Sequence, residues 1–174
     1  MQTIGKGPRQ TMRAKKRVEG FTLVELLMVV AIIGILAAIA IPNLIVAIQR
    51  AKQKKTMSNI RNIATAWEAR ASDFSCYNAA GVAGADISVP IADVAVLIAP
   101  TYIRIVPLAD AWGRTLETYL DKAIGSGQLA NRYAISSPGR DGVYDPSQPM
   151  GPFTGFDCDI IYSNGAFMTY PAPN

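Results

Sequence analysis

The residues with chemical reach in this 174-residue chain fall into three groups. The first is a junction, Lys15-Lys16-Arg17-Val18-Glu19-Gly20-Phe21-Thr22-Leu23-Val24-Glu25. A basic segment meets a glycine, and one carboxylate follows inside an apolar run. Glycine carries no side chain, so the backbone at Gly20 can lie extended in a protease cleft. A cut there would leave an α-amino cation on Phe21, one helical turn from Glu25. A carboxylate in a low-dielectric setting needs such a partner. The second group is Asp141, Asp145, Asp157 and Asp159, set in and beside a Gly- and Pro-rich segment. Calcium takes about six to eight hard oxygens, and carboxylates on a long loop with accessible carbonyls can supply them. The spacing is not that of an EF-hand, and aspartates are also turn formers and strand ends. The third group is the pair Cys76 and Cys158.

Absences narrow the chemistry. There is no histidine, which removes the commonest general base and the commonest transition-metal ligand. No nucleophile motif or phosphate-binding glycine loop is present. A structural assembly protein fits better than an enzyme. The formal charge of +4 is misleading, because six of the 17 basic residues and one of the 13 acidic ones precede Phe21. Beyond that point the chain is close to neutral, so its basicity belongs to the first 20 residues and predicts no specific nucleic-acid partner.

Those residues need elements to position them. Phe21 to Ile41 is a nearly unbroken apolar run, about 30 Å long as a helix, which matches the hydrocarbon core of a bilayer. The positive-inside rule puts the basic leader in the cytoplasm. After Pro42 the pattern becomes amphipathic, with Met57, Ile60, Ile63, Ala64, Trp67, Ala71 and Phe74 at spacings of three and four. The spacing predicts one helix from about Phe21 to Phe74, broken or loosened at Pro42. Arg50, Lys52, Lys54 and Lys55 spread around its axis and read as a solvated collar, with DNA or anionic headgroups as the other readings. Tyr77 to Pro90 reads as a loop and Ile91 to Ile98 as a short helix stopped by Pro100. Strands are expected at 115–120, 131–136, 159–162 and 166–170. The last two flank Ser163-Asn164-Gly165, a hairpin signal because Asn and Gly tolerate positive φ. Residues 137–156 read as a long loop.

With Gly20 followed by Phe-Thr-Leu-Val-Glu-Leu-Leu-Met-Val-Val-Ala-Ile-Ile-Gly-Ile-Leu-Ala-Ala-Ile-Ala-Ile-Pro, the chain resembles the prepilin family. The resemblance implies a pilin-like α+β fold: a long N-terminal helix, transmembrane in its first half, packed on a small antiparallel sheet. It implies a leader over 1–20 that is removed, a transmembrane and polymerisation helix over 21–43, an amphipathic continuation over 44–75 and a head over 76–174. Prepilin peptidase would cut between Gly20 and Phe21 and N-methylate Phe21. Glu25 would pair with the Phe21 amino group of a neighbouring copy. The partners implied are copies of the same chain, an inner-membrane assembly platform and minor pilins or pseudopilins. The subunit would sit in the inner membrane, N-terminus cytoplasmic, and then in a periplasmic or cell-surface filament. A secretory signal cut after Ala40 and an uncleaved anchored binding protein are the competing readings. An apolar run of this length, carrying Glu25 at a cost of about 2.5–3.5 kcal/mol if it lay at mid-membrane, disfavours the first.

In the head, Asp110-Ala111-Trp112-Gly113-Arg114, Tyr133-Ala134-Ile135-Ser136-Ser137, Gly139-Arg140-Asp141-Gly142 and Asp157-Cys158-Asp159-Ile160 resemble in order the major pseudopilin of type II secretion. That resemblance implies calcium held by Asp141, Asp157 and Asp159, with Asp145 as an extra candidate outside the family pattern. Ala111 stands where proline is usual, and the loop is longer. A type IV pilus subunit, serving adhesion, motility or DNA uptake, is the alternative. Outside the cytoplasm two cysteines usually pair, so a Cys76–Cys158 disulfide is expected, with two thiols as the alternative.

Overall fold

The computed structural model describes residues 20–77, 87–121, 129–145 and 147–172. The leader expected before Gly20 lies outside the described residues. Two compact units divide the chain between Pro42 and Asn43.

Helix α1 runs from Leu23 to Phe74. It starts with a capping box. The Glu25 N–H donates to Thr22 Oγ1 at 3.2 Å, and the Thr22 N–H donates to a Glu25 carboxylate oxygen at 2.9 Å. It ends at Ser75, which takes a left-handed φ of 57°, a common way to close a helix C-terminus. The helix is not broken at Pro42. Proline removes only one backbone donor, and the alanine-, leucine- and isoleucine-rich turns on either side keep their own ladder. In the first unit all but one of the side chains from Phe21 to Pro42 are exposed, the exception being partly covered.

In the second unit α1 buries Gln53, Thr56, Ile60, Ile63, Ala64, Ala66, Trp67 and Arg70. The expected apolar stripe is therefore present and longer, continued toward the N-terminus by two polar residues. Phe74, expected on that stripe, is exposed and lies under the Arg70 guanidinium, 4.7 Å from its ring centre. The sheet has six strands: β1 Ile87–Pro90, β2 Glu117–Leu120, β3 Tyr133–Ser137, β4 Gly151–Phe153, β5 Ile160–Ser163 and β6 Ala166–Pro171, in the order β1-β2-β3-β5-β6-β4. Helix α2, Ile91–Ile98, follows β1. It stops where Ala99, held extended ahead of Pro100, leaves the helical region. The core gathers Ile60, Ile63 and Trp67 with Val94, Leu116, Tyr133, Ile135 and Ile160.

Two strands depart from the sequence reading. β1 occupies the end of the segment read as a loop. It is a short edge strand closed by Pro90, which a sheet tolerates only at its margin. β4 lies inside the segment read as a loop to residue 156 and pairs in parallel with β6, so the sheet is not wholly antiparallel. Gly-Pro-Phe carries no strand signature, and its ordering comes from the β6 neighbour. The hairpin is as expected: Ser163 faces Ala166, with φ of 47° at Asn164 and 92° at Gly165.

Candidate functional site

The first site is the start of α1. Thr22 Oγ1 donates to the same Glu25 oxygen at 2.7 Å, so one carboxylate oxygen takes both Thr22 donors. Glu25 thus stabilises the first turn of its own helix, where a negative charge also suits the helix dipole. Thr22 is a residue the sequence reading passed over, although Thr-x-x-Glu before an apolar run is a recognisable cap signal. Leu23, Val24, Leu26, Leu27 and Met28 stand exposed around this pair. No protein in the described residues covers them, and α1 is long and apolar enough to cross a membrane.

The second site is the aspartate-rich end of the head. Asp110 anchors it. Its Oδ1 accepts the Trp112 and Arg114 N–H groups at 2.8 and 2.9 Å, and its Oδ2 accepts the Ser137 hydroxyl at 2.7 Å. Gly113, at φ 85°, lets the turn close. The turn is then fastened to α1, because the Ala111 N–H donates to Thr56 Oγ1 and Trp112 Nε1 donates to Gln49 Oε1. Trp112 therefore both packs against the core and bonds to α1. Next comes the loop of Gly139 and Gly142. A side chain at Gly139 would meet the Cys158 carbonyl at 2.7 Å, and one at Gly142 would meet the Arg114 guanidinium at 2.7 Å. Both glycines have positive φ, which favours glycine at each, and at Gly139 the approach of the backbone carbonyl requires it as well.

The four predicted aspartates separate into different roles. Asp157 makes a two-pronged ion pair with Arg140 at 2.7 and 2.6 Å, and the guanidinium holds its carboxyl below the usual range. Asp141 accepts the Val143 N–H and Asp145 accepts the Ser147 N–H and hydroxyl, both as turn formers. Asp159 differs. It is 0% exposed, one oxygen accepts the Asp145 N–H at 2.8 Å, and the other has no hydrogen-bond partner. Burial first, and then the nearby Asp141, Asp145 and Glu117, push its carboxyl up to about 6. Gln148, which the sequence reading missed, clamps the Asp159 backbone on both sides, accepting its N–H at 2.7 Å and donating to its carbonyl at 3.3 Å. Among the described residues no three His, Cys, Asp or Glu side chains converge as metal ligands do. The Asp159 oxygen without a donor, with the negative charges of Asp141, Asp145 and Glu117 acting on it, would suit a cation better than the other aspartates do. Asp157 does not fit, since Arg140 already neutralises it.

The expected disulfide is absent, and the fold separates its members. Cys76 follows the end of α1 and lines a cleft with Glu68, Tyr77, Asn131 and Asn164. Cys158 lies beside Gly155, whose carbonyl is bonded to Gln53. From Gln53 to Phe74 the helix rises about 30 Å, far beyond the roughly 7 Å that two α-carbons may span in a disulfide.

A family model described as the prokaryotic N-terminal methylation motif matches residues 15–41. The type II secretion system core protein G of Escherichia coli K12 is 31% identical over 134 residues, which is 77% of this chain and 82% of that protein. The chain belongs to the type IV pilin and pseudopilin family. The fimbrial protein EcpC of Eikenella corrodens is 32% identical over 128 residues, 72% of this chain and 78% of that one. The type IV major pilin protein PilA of Myxococcus xanthus is 48% identical over 66 residues, 38% of this chain, and that match spans 30% of PilA's own length. No solved structure matches the chain with significance. For a pilin-family chain the layout is coherent: the α+β head sits on the amphipathic half of α1, and the apolar half is left uncovered.

Proposed function

We propose that this chain is made as a precursor and becomes, after removal of residues 1–20, the structural subunit of a pilus-like filament. The reading closest to its head is the major pseudopilin of a type II secretion system. One observation carries the filament reading. The apolar half of α1 exposes Leu23, Val24, Leu26, Leu27, Val30, Ile32, Ile33, Ile35, Leu36 and Ile39 together. Such a surface needs lipid before assembly and the same helix of other copies afterwards. Glu25 is its only ionisable side chain, and a cut at Gly20–Phe21 supplies the matching amino cation. Lipid tails do not drive apolar helices together, so that charge pair gives assembly a specific term. The type IV pilus reading is supported by the fimbrial relative, whose match also runs through the head. The partners in this reading are prepilin peptidase, an assembly platform and minor subunits.

Calcium belongs to the same proposal. Asp159, with Asp141 and Asp145, would hold it, and the ion would meet the buried Asp159 oxygen that lacks a donor. The processing test is intact-mass and N-terminal analysis of the membrane fraction. N-methylated Phe21 at the terminus is expected, whereas a terminus after Ala40, or an intact Met1, overturns the filament reading. Deleting the gene then separates the branches: loss of exoprotein secretion marks the pseudopilin, and loss of surface fibres marks the pilus subunit.

A further inference from the structure

The second unit opens with an exposed apolar turn of α1, in which Leu44, Ile45, Val46 and Ile48 all face outward. Arg50 and Lys54 follow at once. Four residues apart on a helix, they share one face. Together with Met57 they line one wall of a cleft of about 390 Å³, whose other wall carries Phe153, Phe156 and Pro171. The cleft is held in shape from both sides. Gln53 donates to the Gly155 carbonyl at 2.9 Å, and the Ala172 N–H donates to the Phe153 carbonyl at 2.8 Å. Among the described residues neither Arg50 nor Lys54 forms an ion pair, the two pairs present being Arg132–Asp121 and Arg140–Asp157. Lys52 and Lys55 do not line the cleft. The basic cluster is thus divided: two cations line this cleft and two do not.

We propose that this cleft seats the headgroup of an anionic phospholipid, with Arg50 and Lys54 on the phosphate and Phe153 and Phe156 against the glycerol and first methylenes. The proposal rests on the membrane residence argued above. Within the second unit itself, the turn 44–48 offers only apolar side chains and suits the boundary between acyl chains and headgroups. Arg50 and Lys54 stand about 3–9 Å further along the axis, the depth at which headgroups begin. Basic stems that reach to phosphate and aromatic rings at the interface are the side chains such a boundary selects. A soluble acidic peptide would meet the same two charges, but it would leave the adjoining apolar turn uncovered. Seating one lipid fixes the head at the bilayer surface before assembly, and that lipid must be released when the subunit leaves the membrane.

The test uses the full processed chain, first shown to resist alkaline extraction from vesicles. In detergent micelles it is titrated with phosphatidylglycerol or phosphatidylcholine, and retained lipid is counted by native mass spectrometry. One phosphatidylglycerol should be retained in preference to phosphatidylcholine. Affinity should fall about thirtyfold in R50Q/K54Q and stay unchanged in K52Q/K55Q, which loses the same charge. Excess inorganic phosphate should leave the lipid in place. Equal losses in the two double variants, equal retention of phosphatidylcholine, or displacement by inorganic phosphate would each overturn the proposal. A chain that alkaline treatment extracts would overturn the membrane reading itself, which the lipid counts alone would not touch.

Discussion

Two carboxylates, one in each unit, show opposite ways of keeping a negative charge. Glu25 is exposed, and Thr22 serves it with a backbone and a hydroxyl donor. Asp159 is fully buried, yet one of its oxygens has no donor at all. The residue in the apolar helix is locally content, and the one in the polar head is not. Need for a partner is therefore not readable from the residue type or from the polarity of its neighbours in sequence. It depends on the number of donors aimed at each oxygen and on access to water.

The sharpest way to break this comparison is Glu25→Ala. If its only role were the cap with Thr22, the helix would lose about 1 kcal/mol and filaments would still form. If it pairs with the Phe21 amine of another copy, processing and membrane insertion should be normal while filaments built from the variant alone disappear under the electron microscope. Thr22→Ala is the partner experiment: it removes the hydroxyl and keeps the carboxylate, so filaments should persist.

On the other side of the comparison, calcium should raise the melting temperature of the detergent-solubilised chain, and chelator should reverse it, by ligand mass action. Asp159→Ala should abolish the shift, while Arg140→Ala, which removes the Asp157 pair and the guanidinium over Phe156, should preserve it. Identical melting with and without excess chelator would remove the site.

Acid should act in a direction opposite to the usual one. The folded Asp159 carboxyl is raised to about 6 from an ordinary value of 3.8, so between those values the folded state binds more protons than the unfolded one. Its contribution to stability then grows as pH falls from 7 toward 5. In chelator, the melting temperature should rise over that interval, and Asp159→Asn should flatten the rise. A wild-type curve that falls steadily from pH 7 to 5 would contradict the burial of a charge there.

The smallest effect belongs to the exposed Arg140–Asp157 pair. Both side chains are about half exposed, and such pairs contribute about 0–1 kcal/mol. Arg140→Ala should therefore move the chelated melting temperature little, and by less at high salt.

Much of the fold was legible because its signals are periodic. The three-and-four spacing through Ile60, Ile63 and Trp67 names the buried face of α1, and Asn164-Gly165 names the hairpin. The stripe was undercounted where polar residues continue it. Gln53 and Thr56 fall on the same face, but their burial depends on the Gly155 carbonyl and the Ala111 N–H more than 50 residues away. β4 was illegible for the same reason, since its order comes from β6. In the site, residue types suggested three aspartates in the family pattern, Asp141, Asp157 and Asp159, and Asp145 beside them. Turn bonding by Asp141 and Asp145 is local and follows from the residue type, whereas contacts 14 and 17 residues apart mark off the buried acid and the ion pair. The disulfide expectation followed compartment logic, and the span of α1 between the two cysteines overrules it.

The bond from Gln53 to the Gly155 carbonyl also has a temporal meaning. It joins residues 102 positions apart, and β4 waits in turn for β6. Contacts of such separation form late, because the loop they close must be ordered first. During synthesis α1 therefore emerges and commits to its surroundings well before the head can close upon it. Trp67 gains Tyr77 and then Tyr133 as cover, but Gln53 waits for residue 155, so the newborn chain passes through an interval of greatest exposure to proteases and to premature association.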